Sequence, residues 1–204
     1  MNKVVMINGS PKSKNSASER IIAALCDRLS DASELVICEL ANQSAAKAVE
    51  ALRDGEALVF VFPLYIDSLP SGLLRFLDEE QKAIVLAAPK AKVYAVVNNG
   101  FYDARQNTIA IDMIKNFCST SGLSWGRGLG MGGGGMITGA PFDRFPLKQF
   151  GSALDVLAKN IRHQEAAENF FVEPGIPRFL YMLAANFGMK REMKKRQKNK
   201  SKHR

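Results

Sequence analysis

The apolar positions of the chain follow two alternating rhythms. Lys3 to Ile7 is a short apolar run that stops at Asn8-Gly9, with the length and flanks of a buried strand. Ser18 to Leu29 then spaces Ile21, Ile22, Leu25 and Leu29 as one face of a helix. Glu34 to Leu40 reads as a strand with one exposed edge, and Ser44 to Arg53 as a short helix. Ala57 to Phe62, ALVFVF, is apolar throughout, as a central parallel strand covered on both faces must be. A helix is predicted from Ser71 to Leu77 after Pro70, a buried strand from Val93 to Val97, and a helix from Thr108 to Ser121 with Ala110, Met113, Ile114 and Phe117 on one face. Pro146 is expected to open a last helix, on which Phe150, Leu154, Leu157 and Ile161 align.

A fifth strand is written differently. Trp125, Arg127, Leu129 and Met131 alternate with Gly126, Gly128, Gly130 and Gly132, so one face is bare. Bare glycine weakens a strand but admits close approach, and helix packing is the expected use of Gly126, Gly128 and Gly130. The run Gly132 to Gly135 reads as a mobile loop. Five strands alternating with helices, joined by right-handed crossovers, give an open parallel α/β sheet of order 2-1-3-4-5 with helices on both faces. Such a sheet binds ligands beyond the carboxyl ends of its strands where the order reverses, here between the first and third strands. The loops after Ile7, Phe62 and Val97 are therefore the ones to read for chemistry.

Composition supports one compact domain: 204 residues, 47% hydrophobic and 24% charged. The net charge of +8 resides almost wholly in residues 190–204, which hold nine Lys/Arg and one acid, while the preceding residues hold nineteen of each sign. A run of this kind reads as a solvated, disordered tail, and no specific nucleic-acid contact is expected. Cys26, Cys38 and Cys118 are far apart without C-x-x-C spacing, which leaves no readable iron–sulfur or zinc site and suits a reducing compartment. No metal is expected. The N-terminus shows no secretory pattern and no apolar run is long enough to span a bilayer, so the expected location is the cytoplasm.

In the first loop Ser10, Lys12, Ser13, Ser16 and Ser18 surround the start of a helix, where unpartnered N–H groups favour an anion. Ordinary capping by Ser16 or Ser18 accounts for one hydroxyl, not for four and a lysine. Neither G-x-x-x-x-G-K-[ST] nor G-x-G-x-x-G is present there. The second loop places Pro63, Leu64, Tyr65 and Ile66 at the ligand edge of the sheet, where large apolar groups suit a flat aromatic ligand. The third, Asn98, Asn99, Gly100, Phe101 and Tyr102, repeats that chemistry with two amides and two aromatics. A phosphate site beside an aromatic slot describes a mononucleotide, and FMN fits best.

On NGSPKSKNSAS, FPLYIDSLPSGLLRFL and NNGFYDARQN, in that order, the chain resembles the flavodoxin-like NAD(P)H-dependent FMN oxidoreductases, the group of NADPH-dependent FMN reductases and NAD(P)H:quinone reductases. The resemblance spans about residues 3 to 161 and implies a flavodoxin-like FMN-binding domain over residues 1–165. It implies FMN phosphate on Ser10, Lys12, Ser16 and Ser18, and the isoalloxazine between Pro63 to Ile66 and Asn98 to Phe101. Ala17 stands where many relatives carry a polar residue, which removes one donor. The resemblance further implies hydride transfer from NADPH or NADH through FMN to a quinone-like or other small acceptor by a ping-pong mechanism, in a homodimer. Backbone N–H groups of Asn98 to Phe101 are the candidates for stabilising charge on reduced flavin, and Tyr65 and Tyr102 either stack on substrate, donate a proton to a quinone oxygen, or serve structure alone. A flavodoxin-like electron carrier, or a flavin-binding protein tethered by its basic tail, is the competing class.

Residues 166–189 form an apolar extension that the five-stranded sheet does not need. Pro177 can open a helix bearing Phe179, Leu180, Met182, Leu183 and Phe187, too short to cross a bilayer. Docking on the domain and contact with a membrane surface are both open to it.

Overall fold

The computed structural model describes residues 2–12 and 14–183. Six parallel strands, β1 (Asn2–Asn8), β2 (Ser33–Glu39), β3 (Ala57–Pro63), β4 (Lys92–Asn98), β5 (Ser124–Met131) and β6 (Phe170–Val172), form one sheet of order 2-1-3-4-5-6. The helices are α1 (Ala17–Leu29), α2 (Ala45–Leu52), α3 (Ser71–Glu79), α4 (Gln81–Ala87), α5 (Thr108–Ser121), α6 (Gly134–Ile137) and α7 (Lys148–Arg162).

Strand alternation divides the core between two faces. Val4, Met6, Val59, Val61, Val96 and Leu129 meet α1 and α7, the latter through the predicted Phe150, Leu154, Leu157 and Ile161. Val5, Ile7, Leu58, Phe60, Phe62, Val93 and Val97 meet α2 to α5. The chain changes face between β1 and β3, so the reversal predicted at the carboxyl ends of these strands is present.

Four expectations change. The sheet has six strands rather than five, because Leu129 to Met131 pair with Phe170 to Val172. β6 thus lies within residues 166–189, and the sheet reaches past residue 165. The bare face of β5 is not one surface: a register shift at Val93/Tyr94 makes Gly126 the extra residue of a bulge, under the Tyr94 ring. A Cβ on Gly128 would lie 2.4 Å from Ile111 of α5, and one on Gly130 would lie 2.5 Å from the ring of Phe171 in β6, so only Gly128 serves helix packing. On α5 the buried stripe is Ala110, Ile111, Ile114 and Cys118, leaving Met113 and Phe117 half-buried. Finally, α7 starts at Lys148, since Pro146 belongs to the preceding turn in which the Leu147 N–H donates to Arg144 O at 2.9 Å.

Candidate flavin site at the carboxyl edge of the sheet

Asn8, the last residue of β1, organises the first loop. Its buried side chain accepts from the Ser10 N–H at 3.0 Å and donates through Nδ2 to Glu39 Oε2 at 2.8 Å, tying the ends of β1 and β2 together. Gly9 then crosses at a point where a Cβ would come within 2.8 Å of the Leu73 side chain, which would have to shift to admit a larger residue. Ser10 Oγ accepts from the Lys12 N–H at 3.2 Å, and Lys12 Nζ reaches back to Asn15 O at 3.1 Å. Ser13 lies outside the described residues.

Ser16 is the N-cap of α1. Its Oγ accepts from the Glu19 N–H at 3.0 Å and the Glu19 carboxylate accepts from the Ser16 N–H at 3.4 Å, a complete capping box. Ser18 is buried and its Oγ accepts from Asn98 Nδ2 at 3.4 Å, which joins the first loop to the third. Ala17 is half-buried beside them. The N–H groups of Ala17 and Ser18 have no acceptor among the described residues.

The second loop closes on itself. Tyr65 and Ser68 exchange both backbone hydrogen bonds, at 2.9 and 3.0 Å, around Ile66 and Asp67, whose φ values of 48° and 55° are left-handed. That is the pattern of a primed hairpin turn, unusual for a β-branched residue, and it leaves Ile66 97% exposed beside an exposed Tyr65. The Leu64 N–H donates to Asn98 O at 2.8 Å, fixing this loop to the third; Pro63 and Leu64 are half-buried.

In the third loop Asn98 Nδ2 also donates to Phe62 O at 3.2 Å, and Asn99 spans its own turn, accepting from the Phe101 N–H at 2.9 Å and donating to Asp103 O at 3.0 Å. The Asn99 N–H is held by Met131 O at 3.0 Å. Of the amides expected to face reduced flavin, those of Asn99 and Phe101 are therefore occupied, and Gly100 retains a free N–H among the described residues. Gly100 also has open space where a Cβ would stand, and Phe101 is exposed.

Of the run Gly132 to Gly135, expected to be a mobile loop, Gly132 to Gly134 instead buttress the third loop, while Gly135 is exposed with open space around it. The Gly134 N–H donates to Asn99 O at 2.6 Å and the Gly133 N–H to Phe101 O, and a Cβ on Gly132 would meet Tyr102 O at 2.1 Å. Glycine at this run is the signal of close backbone approach. Residues 178–183 are helical, and buried Tyr181 donates its hydroxyl to Gly100 O at 2.7 Å, its ring 5.7 Å from that of Tyr102. Tyr102 in turn donates to Ile176 O at 3.0 Å. The extension thus docks on the third loop, and Tyr102 is anchored to it. Phe187 and the basic run lie outside the described residues.

Burial pushes the Glu39 carboxyl above its ordinary range; the Asn8 hydrogen bond opposes this and nearby Glu19 reinforces it. Two acids thus border the first loop, so an anion there would be held by amide and hydroxyl dipoles with Lys12 as the nearby cation. The residues fit a phosphate on that basis, and the exposed Tyr65, Ile66 and Phe101 fit a planar ring beside it. All thirteen predicted residues, Ser10, Lys12, Ser16, Ala17, Ser18, Pro63, Leu64, Tyr65, Ile66, Asn98, Asn99, Gly100 and Phe101, lie along this one edge. The groove between α3 and α5, lined by Leu74, Leu77, Met113 and Phe117, contains none of them. Asn8, Gly133, Gly134 and Tyr181 were not predicted. Among the described residues no three His, Cys, Asp or Glu side chains gather as a metal site requires, and no helix is long and apolar enough to cross a membrane.

No protein-family model and no curated protein matches the sequence. Solved structures do match. An NADH:FMN oxidoreductase in its apo form is 17% identical with a TM-score of 0.63, covering 82% of this chain and 92% of its own. An NAD(P)H:quinone oxidoreductase from Methanothermobacter marburgensis is 16% identical, TM-score 0.59, over 81% of this chain and 98% of its own. A flavodoxin from the domain Archaea is 12% identical, TM-score 0.53, over 79% and 97%. Together these likenesses establish that this chain has a flavodoxin-like fold.

Proposed function

We propose that the chain is an FMN-dependent NAD(P)H oxidoreductase acting on a quinone-like or other small acceptor. The observation that carries this reading is the meeting, at the β1/β3 reversal, of a capped helix start rich in hydroxyls with two linked loops that expose Tyr65, Ile66 and Phe101. Ser10, Lys12, Ser18 and the free amides of Ala17 and Ser18 would hold the phosphate. Pro63 to Ile66 and Asn98 to Phe101 would flank the ring, with the Gly100 N–H directed at its polar rim. Bound there, FMN supplies hydride acceptance at N5 from NADPH or NADH and onward reduction of an acceptor that takes the nicotinamide's place.

The protein's own contribution is rigidity. Asn98 ties the first, second and third loops through Ser18, Phe62 and Leu64, so the residues around the ring are set before ligand arrives. The exposed Ile66 is explained if a second copy covers the second loop, and the reading includes a homodimer. The neutral charge of residues 1–189 favours an enzyme over an electron carrier, which gains from a charged face for its partners.

Steady-state oxidation of NADH and NADPH by the FMN-loaded protein, with a soluble quinone as acceptor, tests the proposal. Turnover with parallel double-reciprocal lines is expected. Tight FMN binding without nicotinamide oxidation would assign the carrier role instead.

A further inference from the structure

The helical residues 178–183 are two-sided. Tyr181 points inward and is held by Gly100 and Tyr102, while Phe179, Leu180, Met182 and Leu183 are exposed, Phe179 at 65% and Leu183 at 63%. Four large apolar side chains of one short helix thus stand in water, and seven residues after Leu183 the sequence begins the run with nine Lys/Arg and one acid.

We propose that this face is an interfacial contact for anionic lipid bilayers, in which the apolar side chains enter the headgroup region and the basic run pairs with lipid phosphate or carboxylate. The two features decide the occupant together. A second copy would satisfy the apolar patch but leave the nine Lys/Arg without a use. A nucleic acid would satisfy the charge but leave Phe179, Leu180, Met182 and Leu183 in water. An anionic lipid surface uses both, through burial of apolar area and through cation attraction worth about a five-fold factor in partitioning for each Lys or Arg near the surface. Because Tyr181 joins the helix to Gly100, such a contact also sets the third loop close to the bilayer. The inference does not depend on the redox reading.

Co-sedimentation of the full chain with phosphatidylcholine vesicles, with and without one quarter phosphatidylglycerol, tests it. Pelleting with the anionic vesicles is expected, falling steeply as salt rises and weak with neutral ones. Phe179→Ser with Leu183→Ser should weaken partitioning roughly tenfold or more, with an unchanged thermal midpoint because both side chains are exposed. Lys194→Gln, Lys195→Gln and Arg196→Gln together should do the same by removing charge, independently of how the first variant folds. The proposal is overturned by equal pelleting with both vesicle types, by no pelleting, or by pelleting indifferent to the Phe179/Leu183 change. It is overturned equally if velocity sedimentation shows a dimer that the Phe179/Leu183 change dissolves, which would give the face to a second copy.

Discussion

Ser16 caps the helix start beside which the phosphate is proposed to lie, and one pair of substitutions separates cap from phosphate site. In the folded chain its hydroxyl accepts from the Glu19 N–H at 3.0 Å and so caps α1. Ser16→Ala removes that acceptor and leaves a part-buried N–H without a partner, which costs about 1 kcal/mol, within a range of roughly 0.5–2 for N-caps. For a chain of this length that is a fall of about 2–4 °C in thermal midpoint. Ser16→Asp caps as well as serine, so the ligand-free midpoint should stay close to that of the unaltered protein. It also sets a carboxylate where the phosphate is proposed to sit. At about 4 Å the repulsion per unit charge runs from about 1 kcal/mol in water to about 4 near a protein surface, or five-fold to several-hundred-fold in Kd. Riboflavin has no phosphate and should bind both proteins alike. The assay is a fluorescence titration of each flavin with each ligand-free variant, beside thermal unfolding. If Ser16→Asp binds FMN as tightly as the unaltered protein while Ser16→Ala loses stability, Ser16 is a cap alone and the phosphate belongs elsewhere.

Other substitutions probe the frame around the site. Gly132→Ala forces a Cβ against the backbone carbonyl of Tyr102 and should cost about 1–3 kcal/mol or more, measured by urea unfolding, because backbone cannot step aside as a side chain can. Glu39→Gln keeps an acceptor for Asn8 Nδ2 and removes a carboxyl that burial holds above its ordinary pKa. A raised folded pKa contributes stability below the unfolded value and loses it as pH rises through the folded one. The variant should therefore melt higher than the unaltered protein at neutral pH, and the difference should vanish below the carboxylate range. Burial pushes the Cys38 and Cys118 thiols up to about 12, so iodoacetamide at pH 8 should leave both unlabelled in the native protein and label all three cysteines in denaturant, read by mass spectrometry.

The sheet was legible because β1, β3 and β4 are buried on both faces and the longer helices carry one apolar stripe each. Both patterns are local, and the boundaries of β1, β3 and β4 fall within about a residue of those expected. β6 was hidden for the opposite reason: Phe170 to Val172 is too short for a period to register, and its place is made by Gly130 and by pairing with a strand forty residues earlier. α4 was hidden because Ile84 is its only fully buried side chain, which leaves no stripe. At the site, the three loops were readable because hydroxyls, amides and exposed apolar groups follow strand ends where a core has no use for them. Their supports were not. Tyr181 holds Gly100 across eighty-one positions, and Gly134 holds Asn99 through backbone alone, so neither contact writes a pattern into a short window. The glycine run 132–135 did carry a signal, but freedom and close approach use the same residue, and only the neighbouring chain distinguishes them.

The most direct test of the account is a titration of the ligand-free protein with FMN and with riboflavin, followed by flavin fluorescence. The predicted result is one FMN per chain, with riboflavin at least about tenfold weaker for want of the charge-assisted phosphate bonds. Equal affinity for the two flavins, or no binding of either, would contradict a mononucleotide site at the carboxyl edge of this sheet.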